Sequence, residues 1–174
     1  MLNITNHILQ MKKALCTLLA FSLPFAAFSQ SLPAIDAVPL KTAENYRAAE
    51  STVLQTSAYL LANPIDKNDE TRLKAGVFLY RWVAGTPDFY LSPDENVTRC
   101  FEKDVDLITL YYACTTSFAI QYPSVKNSKA ITLNAVKTFL NYVNNSNNHV
   151  IITRRLKKLS DAAQNGQLEN FLKF

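Results

Sequence analysis

The stretch "LITLYYACTTSFAIQYPSV", Leu107–Val125, contains no charged residue, and how it is read decides the fold. Its length is close to the roughly 20 residues that cross a bilayer as a helix. Three threonines, two serines, Gln121 and Pro123 interrupt it and argue against a span. A helix that is apolar on all sides is equally the central helix of a bundle, enclosed by other helices. We read Leu107–Val125 as that central helix. The break at Lys103-Asp104-Val105-Asp106 precedes it, with Asp104 as the cap.

The flanking sequence supplies helices to surround it. Upstream, Thr42–Ala62 sets Tyr46, Ala49, Val53 and Leu60 on one stripe, with Leu54, Ala58 and Leu61 beside it. Pro64 stops that helix, and Asn68 or Asp69 caps the next. The second helix is expected to reach Ala84 with Leu73, Val77, Tyr80 and Ala84 facing inward. Gly85 is expected to close it in a left-handed conformation. Downstream, Asn127–Val143 places Leu133, Val136, Leu140 and Val143 on one face, with Phe139 alongside. The polar run "NNSNN", Asn144–Asn148, links it to a last full helix. There Ile152, Leu156, Leu159 and Ala163 fall within an arc of about 60° at 100° per residue. Gly166 ends this helix, and Leu168, Phe171 and Leu172 form a final amphipathic turn. No alternating pattern predicts strands, and three glycines in the whole chain leave little room for hairpins. The expected fold is all-α: a single-domain antiparallel bundle of about five to six helices over residues 42–174. A short tetratricopeptide-like array of helix pairs is the second arrangement, although no internal repeat supports it.

The corner "GTPDFYLSPDE", Gly85–Glu95, follows the only tryptophan, Trp82. Thr86-Pro87-Asp88 makes the turn. Ser92-Pro93-Asp94-Glu95 has the form of a capping box, opening a short helix over residues 93–102 with Ser92 as cap and Glu95 reaching back. Phe89, Tyr90 and Leu91 are expected to fold back onto the core. Trp82, Asp88, Phe89 and Tyr90 form the first candidate binding patch.

At the other end of the chain, "MKKALCTLLAFSLPFAAFSQ", Met11–Gln30, has two lysines, a short apolar middle and small residues before Gln30. That is the layout of a secretory signal peptide with cleavage between Ser29 and Gln30. Residues 1–10 read as an over-extended start and residues 11–29 as the signal peptide. Residues 30–41, with Pro33 and Pro39, read as a flexible arm. Cys16 follows the lysines too closely to be a lipid-modified cysteine. The expected location is the periplasm or the cell exterior. Losing Lys12 and Lys13 reduces a formal net charge of +4, so no nucleic-acid footprint remains.

Cleavage also removes Met1, Met11, His7 and Cys16, which limits the available chemistry. His149 is then the only histidine, and Cys100 and Cys114 the only cysteines. A nucleophilic triad would have to use His149, which sits beside the asparagine linker as an exposed polar residue. Zinc needs more ligands than one histidine and two separated cysteines. No haem-attachment motif or glycine-rich phosphate loop occurs. "DKNDE", Asp66–Glu70, begins like a calcium loop, but Thr71 and Val77 occupy the positions that need glycine and glutamate. On one continuous helix Cys100 and Cys114 would lie roughly 21 Å apart. A disulfide allows about 7 Å between Cα atoms, so buried free thiols are expected, with an intermolecular or unexpected intramolecular bridge as the alternative. Asp104 with Asp106, or Asp88 with Asp94, are the carboxylate pairs a hydrolase could use. Arg154, Arg155, Lys157 and Lys158 face away from the last helix's apolar arc and form the second candidate patch, toward an anionic surface or acidic partner. The sequon Asn96-Val97-Thr98 falls at a helix start. No catalytic residue, metal or cofactor is expected.

The "RWVAGTPDF" segment (Arg81–Phe89), the "LANPID" corner (Leu61–Asp66) and the Ser-Gln cleavage site resemble those of small uncharacterised exported proteins of Bacteroidota. The resemblance extends over most of the chain beyond the leader. It implies an exported all-helical domain and assigns no site residues. The residues themselves favour a non-enzymatic domain that binds another protein or an envelope component. A small-molecule or lipid carrier, with a pocket lined by Tyr111, Tyr112 and Phe118, is the alternative. A carboxylate hydrolase ranks third.

Overall fold

The structure, a computed structural model, describes residues 31–91 and 93–174. The leader, the cleavage site at Ser29 and Gln30, and the expected cap Ser92 lie outside the described residues. Among the described residues the chain is all helical, with no strand, and none of its helices is long and apolar enough to cross a membrane. The order is α1 (Ala43–Ala48), α2 (Glu50–Ala62), α3 (Glu70–Gly85), α4 (Glu95–Thr98), α5 (Val105–Gln121), α6 (Ser128–Val143), α7 (Arg154–Gln164) and α8 (Leu168–Leu172). Short 3-10 turns at Arg99–Phe101 and Ser146–Asn148 complete it.

Leu107–Gln121 of the uncharged stretch lies in α5, which ends before Pro123 rather than reaching Val125, and its position explains its composition. Leu107, Leu110, Tyr111 and Cys114 belong to one buried cluster with α4, α6, α7 and α8. Ala113 and Ala119 belong to a second, with α2, α3 and Ile35. A helix packed between two cores has almost no outward side on which to carry charge. Small side chains are buried on both helices: Ala113, Thr116 and Ala119 on α5, and Thr56 and Ser57 on α2.

Helix ends follow the capping residues. Asp69 Oδ1 accepts from the Thr71 and Arg72 backbone N–H groups at 2.8 and 3.1 Å, and Asp104 Oδ1 does the same for Asp106 and Leu107 at 2.9 and 3.1 Å. α2 and α3 run antiparallel. Arg72, near the start of α3, donates to Leu60 O near the end of α2, while Trp82 Nε1 reaches back to Tyr46 O at 2.9 Å. α3 and α5 instead run in the same direction, since Gly76 meets Thr109 and Tyr80 meets Tyr112. Two parallel neighbours need a return connection, and residues 86–104, with α4, provide it.

Four local expectations are corrected. α4 is capped by Asp94, whose Oδ1 accepts from Asn96 and Val97 N–H; it starts at Glu95, and Pro93 precedes it. Glu95 binds Arg99 one turn on, at 2.6 Å, rather than reaching back. Gly85 is still helical and not left-handed; a Cβ there would overlap the Tyr46 hydroxyl, so the site needs glycine for space. Residues 31–41 are docked rather than loose: Ile35 is buried in the second core, and Leu40 O accepts from Tyr46 Oη. The arm's apolar residues pack where its prolines prevent a helix.

The fourth correction concerns the face of α3. Leu73, Val77 and Tyr80 are 68%, 52% and 61% exposed, and Ala84 is exposed too. Ala75, Phe78, Leu79 and Trp82 are buried in their place. That second set is also spaced by three, one and three, so α3 carries two helical stripes. The one with the larger aromatic surface goes inside.

Candidate functional site

The displaced stripe of α3 forms one wall of a groove of about 470 Å³, whose other wall is α5. Leu73, Val77 and Tyr80 face Val105, Ile108 and Tyr112 across it, and Leu60 and Leu79 close its floor. Gly76 sets the spacing, because a Cβ there would stand 3.2 Å from Thr109 Cγ2. Tyr80 and Tyr112 meet edge to face, ring centroids 6.3 Å apart. Burial, and then the neighbouring Tyr80, raises the Tyr112 hydroxyl above the ordinary tyrosine range.

Polar groups gather where α3 and α5 begin. Asp66, Lys67, Asp69, Arg72 and Asp106 line that end. Arg72 is 4% exposed. Its Nη1 donates to Leu60 O at 3.1 Å and to Asn63 O at 3.0 Å, supplying partners to the last carbonyls of α2. Tyr142 Oη donates to the same Asn63 oxygen at 2.8 Å, tying α6 to this end. Tyr59 Oη donates to Asp69 Oδ2 at 3.3 Å. Arginine and aspartate are thus occupied in holding helix ends, and the groove's centre is left apolar.

The residues singled out in the sequence lie elsewhere. Trp82 is fully buried, with its N–H bonded, so its indole is out of reach of a partner. Phe89 packs on it, centroids 6.0 Å apart, beneath the Lys126 ammonium. Asp88 forms a two-pronged pair with Arg47 at 2.8 and 3.0 Å, which holds its carboxyl below the usual range. Tyr90, expected to fold back onto the core with Phe89 and Leu91, instead stands 93% exposed. On α7, Arg154, Arg155, Lys157 and Lys158 are exposed, as the spacing predicts. Lys157 pairs with Asp161 at 2.9 Å, and Arg155 donates to Arg99 O at 3.4 Å. Of the three expected pocket residues, Tyr112 lines the groove. Tyr111 is buried against Phe101 and Phe139, and Phe118 stacks on Tyr122.

Reactive chemistry finds no assembled centre among the described residues. No group of three metal-binding side chains occurs. Cys100 and Cys114 are free and buried. Burial raises both thiols, Cys114 to about 12, which keeps it from the thiolate form. Asp94 and Asp104 act as caps and Asp88 as an ion-pair partner, so each expected carboxylate pair has a member engaged elsewhere. The sequon asparagine is engaged too: Asn96 Nδ2 donates to Leu172 O at 3.0 Å.

Sequence reading missed the groove because it assigned its wall to the core. The available signal was the second stripe, Ala75-Phe78-Leu79-Trp82: with α2 and α5 packed on that side of α3, the other apolar stripe is left over. Comparison with protein-family models, curated proteins and solved structures finds no match to this chain.

Proposed function

We propose that this chain is an exported, non-enzymatic interaction domain, and that its α3–α5 groove receives the apolar face of a helix from a protein partner. One observation carries the reading: Leu73, Val77, Tyr80 and Val105, each at least half exposed, crowd around one groove. Isolated exposed apolar residues are ordinary, whereas a contiguous set marks a binding surface. Helix-in-groove recognition uses such a trough between two helices, with anchors one turn apart. Export rests on the leader's layout, and Edman sequencing of the protein recovered from its host should begin at Gln30.

A photo-crosslinking residue at position 77, installed in the native host, tests the groove. A protein adduct at 77, absent when the same residue stands at 158 on α7, is the expected result. Adducts at 90 or 154 with none at 77 would return the binding role to the corner or to the basic helix. The carrier reading keeps one specific support: about 470 Å³ lies within the roughly 300–1,000 Å³ of small-molecule pockets. Native mass spectrometry that retains a small ligand, with no protein adduct at 77, would favour it.

A further inference from the structure

We infer that the groove is closed by a second copy of this chain, α3 packing antiparallel on its partner's α3 about a two-fold axis. The inference rests on reading the groove as a protein-docking surface and names its occupant. Such a groove calls for a helix that presents apolar side chains outward at intervals of four and three. Among the described residues α3 itself presents them, as Leu73, Val77 and Tyr80. The other large exposed apolar residues, such as Tyr90, Ile151 and Phe174, form no helical stripe.

The stripe is self-complementary. With the axis between Gly76 and Val77, Leu73 faces the partner's Tyr80, and the two Val77 side chains lie next to each other at the centre of the contact. Charge favours the same orientation. Glu70 is exposed at the start of α3, where it and Asp66, Asp69 and Asp106 outnumber Lys67 and the buried Arg72, and Arg81 is exposed near its end. At 100° per residue, Glu70, Leu73, Val77, Tyr80 and Arg81 share an arc of about 100°. Neither Glu70 nor Arg81 has an ion-pair partner among the described residues. Antiparallel pairing brings each Glu70 within a turn of the partner's Arg81, on the same side of the contact. Parallel pairing would place like charges together. A two-fold contact uses one patch twice, as the commonest soluble dimers do.

Sedimentation equilibrium on residues 30–174, from micromolar to sub-millimolar concentration, tests this. A monomer–dimer equilibrium is expected, abolished by Val77→Glu and by Tyr80→Glu with the helical circular dichroism retained. Glu70→Arg and Arg81→Glu should each weaken dimerisation about threefold to tenfold, and the double variant should restore it. A monomer at every concentration overturns the inference, as does a dimer indifferent to Val77→Glu. If that monomer still gives a crosslink at position 77 to a different protein, self-pairing falls and the docking surface stands. If it gives none, both fall.

Discussion

At the scale of single residues, Arg72 shows most clearly what a buried polar group does here. It joins the end of α2 to the start of α3 through two carbonyls, of which Asn63 O also accepts from Tyr142 Oη. Arg72→Met would keep much of the packing and leave both carbonyls without that donor, so it should cost about 2–4 kcal/mol in urea unfolding. Arg72→Lys should recover only part, because an ammonium lacks the planar spread of donors. Buried hydroxyls and thiols give a second expectation. Burial raises Tyr111 from 10.0 to about 12 and Cys114 from 9.0 to about 12. Both groups stay neutral in the folded chain after the unfolded chain has begun to ionise. Above about pH 9 the unfolded state therefore binds fewer protons, and stability falls with rising pH toward 12. Thermal melts from pH 7 upward should decline from that point, and Cys114→Ala should flatten the first part of the decline. A level profile between pH 9 and 11 would contradict the burial of these groups.

Elements show where periodicity stops being informative. α6 and α7 each carry one apolar stripe that packs inward, although Ile152, expected on the α7 stripe, precedes the helix and is 49% exposed. α3 carries two, and spacing cannot rank them; the total apolar surface of Phe78, Leu79 and Trp82 can. The opposed faces should respond oppositely to substitution. Leu79→Ala, at a fully buried site, should destabilise by about 2–5 kcal/mol. Val77→Glu should change the isolated chain by no more than about 0.5 kcal/mol, as an exposed surface change does. Urea midpoints of the two variants settle the matter, and equal losses would mean the exposed stripe is core after all. Capping shows the same limit on a smaller scale. The chemistry of a cap was legible in Ser92-Pro93-Asp94-Glu95, but two candidate oxygens two residues apart both fit it, and Asp94 holds the N–H groups. The C-terminal α8 depends on a contact that spacing cannot reveal, Asn96 to Leu172 O. Asn96→Ala should speed amide exchange in residues 168–172 while leaving α5 protected. A glycan on Asn96 would require that contact to break, so the recovered protein should carry none there.

At the scale of the whole molecule, the all-helical class could be read from composition and period, while the arrangement could not. Short links suggested antiparallel neighbours, which α2 and α3 are. Nothing in the spacing showed that residues 86–104 carry the chain back so that α3 and α5 lie parallel with a trough between them. The trough and the central helix have a common origin. α5 supplies buried side chains to both cores, and at its start, beside the start of α3, it leaves Val105 73% exposed and Ile108 half-buried on the groove side. Sharing a helix also couples the two cores energetically, since neither can lose α5 without exposing the other's wall. The single tryptophan, Trp82, lies in the second core, and Phe139 lies in the first. Trp82 fluorescence and far-ultraviolet circular dichroism should therefore give coincident urea midpoints. Phe139→Ala should lower the fluorescence midpoint by as much as the dichroism midpoint, equivalent to about 3–5 kcal/mol, although Phe139 contacts a different cluster. A fluorescence midpoint that stayed in place while the dichroism midpoint fell would mean that the α1–α3 layer unfolds by itself. In that case α5 belongs to only one core, and a groove built on its fixed position would have no rigid wall.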